Sequence, residues 1–176
     1  MRPSAARPES PGLTRVLATH IVGTMPQRLE ARVRQRRFRS RREAAFVGLL
    51  VVGEHLRVRL EAVCERHGIT HTQYNLLRIL RGAPPEGHPR YEIANRLVSR
   101  APDVTRLLDR LDRLGFIERG WAPDNRRLSV ARITDEGRAL LAAVDPEIAA
   151  LQDETLGALT GPQVESLVGI LDVLTP

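Results

Sequence analysis

Aliphatic residues recur at Val104, Leu107, Leu108, Leu111 and Leu114, the spacing of one face of an α-helix. At about 100° per residue, Arg106, Asp109 and Arg113 fall on the opposite side, flanked by Thr105 and Arg110. A buried aliphatic side therefore backs a solvated side rich in guanidinium groups. Pro102 disfavours helical geometry at Ala101, which predicts Ala101 as the cap and a helix from about Pro102 to Leu114. Asp103 then lies in the first turn, against the positive end of the helix dipole. Gly115 suits the residue just past the helix end.

Two alternating runs follow, Phe116 to Arg119 and Leu128 to Ile133, and both predict short strands. The segment Ala122 to Arg127 between them holds Pro123, Asp124 and Asn125, residues that favour a tight turn, and carries Arg126 and Arg127 near its tip. Upstream, Tyr91 to Val98 reads as a helix with Ile93, Ala94 and Leu97 inward. A helix, a turn, a second helix and a hairpin make a winged helix-turn-helix.

The same patterning organises the rest. Glu43 to His67 reads as one long helix with Phe46, Leu49, Leu50, Gly53, Leu56, Leu60, Val63 and Cys64 on one side, ended by Gly68. Such a helix spans nearly 40 Å at about 1.5 Å per residue, more than one small core covers, so its surplus apolar face implies a partner. Thr70 and Gln73 form a capping box, with Ile69 placed to staple onto Tyr74, and the helix they start runs to about Arg81. Gly82 to Pro89 reads as a loop. Thr134 caps a further helix, with Asp135 and Glu136 in its first turn; its apolar side is Leu140, Leu141, Val144, Ile148, Leu151 and Leu156, and Pro146 is expected to bend or interrupt it. Thr160 and Gln163 form a second capping box, and Val164, Leu167, Val168, Leu171 and Leu174 make a last amphipathic helix. The fold class is mainly α with a small β-hairpin wing.

Charge sharpens this picture. All 27 basic residues are Arg, and the net charge of +6 is unevenly placed. Residues 1–42 hold 11 Arg against 2 Glu, residues 96–132 hold 9 Arg against 5 acids, and residues 133–176 hold 1 Arg against 8 acids. The two basic blocks are the leader and the winged-helix segment, where phosphate attraction has a place to act. The leader, with its scattered prolines and an internal Met25, reads as a flexible arm. It is either a solvated, self-repelling tail or a strand of charge lying along phosphates or in a minor groove.

Other chemistry is thin. The five histidines have no metal-ligand spacing; His67 and His71 are four apart, but Gly68 divides them between helices. No phosphate-cradling glycine loop and no Gly-x-Ser-x-Gly elbow is present, so neither enzyme nor cofactor is expected. Cys64, the single cysteine, excludes an internal disulfide and reads as buried and inert, with a redox role as the alternative. The longest apolar run, Ala44 to Gly53, is about half of what a membrane-spanning helix needs, so a cytoplasmic chain is expected. Trp121 either leans on the hairpin base or touches a ligand or DNA.

The strings Val104-Thr-Arg-Leu-Leu-Asp-Arg-Leu111, Gly115-Phe-Ile-Glu-Arg119, Pro123-Asp-Asn-Arg-Arg127 and Ile133-Thr-Asp-Glu-Gly-Arg138 resemble the MarR family of bacterial transcription regulators, over roughly Glu43 to Leu174. Beyond the basic arm over 1–42, which the charges themselves suggest, the resemblance implies a MarR-type domain over 43–176. In that domain a DNA-binding winged helix occupies about 71–134 and dimerisation helices about 43–67 and 134–174. It implies a homodimer on a pseudo-palindromic double-stranded operator, most simply a repressor, released by a small aromatic effector that binds between the dimerisation helices and the DNA-binding lobe. The family's wing motif, an Asp, any residue, then an Arg for the minor groove, places the Arg at Arg127 but finds Asn125 at the Asp position, with Asp124 as an alternative brace. The expected DNA-contacting residues are Arg100, Asp103, Thr105, Arg106, Arg110, Arg126 and Arg127. The alternatives for Arg106, Arg110 and Arg113 are surface pairs with Asp109 and Asp112, which contribute about 0 to 1 kcal/mol each. The rival reading of the whole is a winged-helix module that binds protein and lacks specific DNA binding.

Overall fold

The computed structural model describes residues 27–34, 37–98, 103–122 and 125–175. The chain divides between Glu54 and His55 into two compact units.

The first unit holds α1, Gln27–Val33, and the first half of α2, Arg41–Arg66. α1 turns Leu29 and Val33 partly inward, and Leu29 Cδ2 lies 3.5 Å from where a Cβ on Gly48 would stand. Phe38 and Ala44 are buried. The expectation of an arm without structure up to residue 42 therefore does not hold for Gln27–Val33, where Leu29 and Val33, one turn apart, supply an apolar stripe too short to stand out by periodicity. α2 also begins two residues earlier than its apolar pattern suggests. Ser40 Oγ accepts the Glu43 backbone N–H at 3.1 Å, and the Glu43 carboxylate accepts the backbone N–H of Arg39, one residue ahead of Ser40, so both oxygens cover donors at the helix start.

The second unit continues α2 and adds α3 (His71–Arg81), β1 (His88–Pro89), α4 (Arg90–Arg96), α5 (Val104–Arg113), β2 (Ile117–Ala122), β3 (Asn125–Ile133), α6 (Asp135–Leu156) and α7 (Gly161–Leu174). Its core joins Leu76, Leu77 and Leu80 of α3 to Ile93, Leu108, Leu111, Ile117, Leu141 and Val144, with Val63 and Cys64 from the end of α2. The capping box of α3 forms: Gln73 N–H donates to Thr70 Oγ1 at 3.2 Å, and Thr70 N–H to Gln73 Oε1 at 2.9 Å. Thr134 Oγ1 caps α6 by accepting from Gly137 N–H at 3.1 Å, and Gln163 Oε1 accepts the Thr160 N–H at 2.9 Å ahead of α7.

The sheet is antiparallel in the order β1-β3-β2, with His88 opposite Ala131, Ile117 opposite Ile133 and Trp121 opposite Ser129. β1 lies where a loop is expected, because two residues carry no alternation to read. β2 and β3 reach further into the wing than the predicted strands, with an irregularity between Trp121 and Ala122. α6 runs unbroken through Pro146 from Asp135 to Leu156, so of the expected bend or interruption the interruption does not occur; the proline removes only one backbone donor.

Candidate DNA-binding face

α5 begins at Val104 and Asp103 is its N-cap, which corrects the placement of the cap at Ala101 and the helix start at Pro102. The reason is chemical. Ala has no acceptor to offer, whereas Asp103 Oδ1 accepts the Arg106 backbone N–H at 3.0 Å. Ala101 and Pro102 themselves lie outside the described residues, as do Arg100 and Asp124. The other carboxylate oxygen of Asp103 holds Arg106 Nε at 2.9 Å, and the Arg106 side chain is 87% exposed. One residue thus both starts the helix and aims its first arginine.

Val104, Leu108 and Leu111 anchor the inner face of α5, so Thr105, Arg106 and Arg110 are left exposed on the outer face. The ion pairs differ from those the spacing suggests. Asp109 binds Arg119 of β2, with Nη1 to Oδ1 at 2.6 Å, and Arg113 Nε turns back to the Asp109 carbonyl at 3.2 Å. The Asp109–Arg119 bond ties the helix to the base of the wing.

In β3, Asn125 Oδ1 accepts the Arg127 backbone N–H at 3.0 Å, and Arg127 is exposed. Asn125, where the family motif has Asp, therefore braces the start of β3 at Arg127. The backbone of Arg126 lies between Asn125 and Arg127 in the same strand. Trp121 stands 62% exposed on β2, so it is not packed into the hairpin base.

Between α4, α5 and the wing strands opens a groove of about 410 Å³ lined by Arg90, Tyr91, Thr105, Arg119, Ser129 and their neighbours. Arg90, Tyr91 and Arg119 join the face without having been singled out in the sequence. Tyr91 was legible only as a helix start, and Arg119 only as the end of a strand whose partner helix lies ten residues away.

A second polar cluster joins α3 to α6. Tyr74 OH donates to Asp145 Oδ1 at 2.8 Å, and Arg81 binds the other oxygen. Burial, then the bond to Asp145, pushes the Tyr74 phenol up to about 12. Burial alone would raise the Asp145 carboxyl, but hydrogen bonds from Arg81 and Tyr74 outweigh it and hold the group below its usual range. Arg66 and His67 both bind Glu147, lowering that carboxyl. Cys64 is fully enclosed, and burial followed by the charge of Glu61 raises its thiol to about 11. Among the described residues there is no cluster of three or more His, Cys, Asp or Glu suited to a metal ion, and no helix long and apolar enough to cross a membrane.

The helix pair α4 and α5 followed by the β2–β3 hairpin defines a winged helix-turn-helix. A family model described as "MarR family" matches residues 69–129. A MarR transcription factor of known structure from Planctomyces limnophilus is 33% identical, covering 78% of this chain and 99% of that one with a TM-score of 0.59. The HTH-type transcriptional regulator MhqR of Bacillus subtilis is 27% identical over 106 residues, 60% of this chain and 72% of that protein. MepR of S. aureus, in a complex with DNA, shares the fold with a TM-score of 0.65 at 21% identity, covering 72% of this chain and 92% of that one. The chain belongs to the MarR family, and with it to the DNA-binding regulators of transcription.

Proposed function

We propose that the chain acts as a homodimeric repressor on a pseudo-palindromic operator, with α5 of each copy in a major groove and each wing beside a minor groove. Two such helices about 34 Å apart read half-sites one helical turn apart. Thr105, Arg106 and Arg110, with Arg100 at the head of the helix, contact base edges and phosphates; Asp103, which can only accept, serves a base-edge amino group, and Arg126 and Arg127 serve the wing. The MepR–DNA complex is consistent with this use of the fold.

The observation that carries the dimer is α7. This 14-residue helix buries no residue at all, and Val168, Ile170, Leu171, Val173 and Leu174 are all exposed. α2 is bare in the same way at Phe46, Leu49 and Leu50. Apolar surface on this scale is covered in a stable protein. A second copy, pairing through about 43–67 and 134–174, covers it, leaving 71–134 to read DNA. A small aromatic effector then acts by favouring a dimer whose helix spacing misses the operator; moving such an equilibrium from 1:99 to 99:1 takes about 5.5 kcal/mol of differential affinity.

The test is fluorescence anisotropy on DNA flanking the chain's own gene at several salt concentrations. Wild type is expected to bind tightly with a steep salt slope, Arg127→Ala to weaken all sequences alike, and Arg106→Ala to cost about 1–3 kcal/mol and relax base preference. Binding that ignores both substitutions overturns the reading.

A further inference from the structure

Between residues 27 and 42 the sequence places eight arginines against one glutamate. The structure separates these charges by exposure. Glu30, the single acid, is half-buried on α1 with its Oε1 enclosed. Arg28 and Arg32, one turn apart on the same helix, are exposed, as are Arg34, Arg39 and Arg42. Arg34 ends α1 at φ 53, the only non-glycine with positive φ among the described residues.

A surface this basic meets a polyanion, and the fold argues for which one. A helix that inserts into a membrane surface needs a free apolar side. The apolar residues of this segment face the protein instead: Leu29 reaches Gly48, Val33 is half-buried and Phe38 is enclosed. What remains outside is a set of guanidinium groups, whose planar donors suit phosphate oxygens. The chain already binds DNA elsewhere, so a tethered basic segment meets flanking phosphates at high effective concentration.

We propose that Arg28, Arg32, Arg34, Arg39 and Arg42 form a second DNA contact, independent of sequence, that grips the backbone beyond the base pairs read by the winged helix. The proposal rests on the operator-binding reading above, but the two fail differently. Failure of that reading appears as no preference for operator over scrambled sequence on a short duplex. Failure of this one appears as indifference to added flanks.

The experiment measures anisotropy of the full chain on a duplex limited to the operator and on one extended by random sequence at both ends, from 50 to 200 mM salt. The variants are Arg28→Gln/Arg32→Gln/Arg34→Gln, Arg39→Gln/Arg42→Gln and the matching Arg→Lys sets. Wild type is expected to gain affinity and salt slope from the flanks. Each lost contact should lower that slope by about 0.9, or about 3.5-fold in affinity across this salt range. The Gln sets should lose the gain while keeping wild-type circular dichroism and operator preference, and the Lys sets should retain most of it. Equal affinity for both duplexes overturns the proposal. So does a Gln set that keeps the flank gain, or one whose only deficit is binding to phosphatidylglycerol vesicles.

Discussion

Asp103 does two things with its two oxygens. One accepts the Arg106 backbone N–H and starts α5; the other holds the Arg106 guanidinium beside the helix end. The cap is the larger contribution, about 0.5–2 kcal/mol, because an exposed ion pair adds only about 0–1 kcal/mol. Substitution can separate them. Asp103→Asn keeps an acceptor for the N–H and loses the ion pair; Asp103→Ala loses both. Thermal melts should therefore place Asp103→Asn near wild type and Asp103→Ala lower by about 1 kcal/mol, while operator binding should show Arg106 less well positioned in both. Equal melting of the two variants would mean that the cap contributes nothing.

At the level of elements, α3 and α6 are joined by the Tyr74, Asp145 and Arg81 cluster, and acid should loosen that joint. The Asp145 carboxyl is held below its ordinary value of 3.8 in the folded chain. A lowered carboxyl contributes stability above its unfolded value and loses it as pH falls through the folded one. Unfolding followed by denaturant as a function of pH should show wild type losing stability below about pH 4, with a shallower fall in Asp145→Asn. Asp145→Ala should cost about 1–3 kcal/mol even at neutral pH, because the buried Tyr74 hydroxyl loses its acceptor. This joint was not legible in the sequence, since its three members are brought together only by packing of helices far apart in the chain. The elements themselves were legible where a local device announces them: the Thr70–Gln73 box, the Thr134 cap, and the aliphatic face of α5. They are not legible where the signal is short or carries no periodicity. β1 has two residues, α1 has a single apolar pair, and the Ser40 cap of α2 lies among arginines that carry no periodicity. At the candidate DNA face, the outward side of α5 followed from its period, but the binding of Asp109 by Arg119 did not, because that pair depends on how the hairpin folds back onto the helix.

For the molecule as a whole, the bare sides of α2 and α7 are the largest exposed apolar features of the described residues, and the proposed dimer covers them. Leu171→Glu or Leu50→Glu places a charge on surface that a second copy is proposed to cover, and an unpaired buried charge is costly. Sedimentation is expected to show monomers for either variant with helical circular dichroism retained, and operator affinity to fall by about 10²-fold or more as two-site binding is lost. A dimer that persists in both would assign the interface elsewhere. The same separation of surfaces has a genetic consequence. If pairing uses α2, α6 and α7 and reading uses α5 and the wing, as proposed above, a copy damaged only at Arg106 and Arg127 keeps its full ability to pair. Such a copy would draw intact chains into mixed dimers with one working half, and a single defective allele would silence more regulator than it encodes.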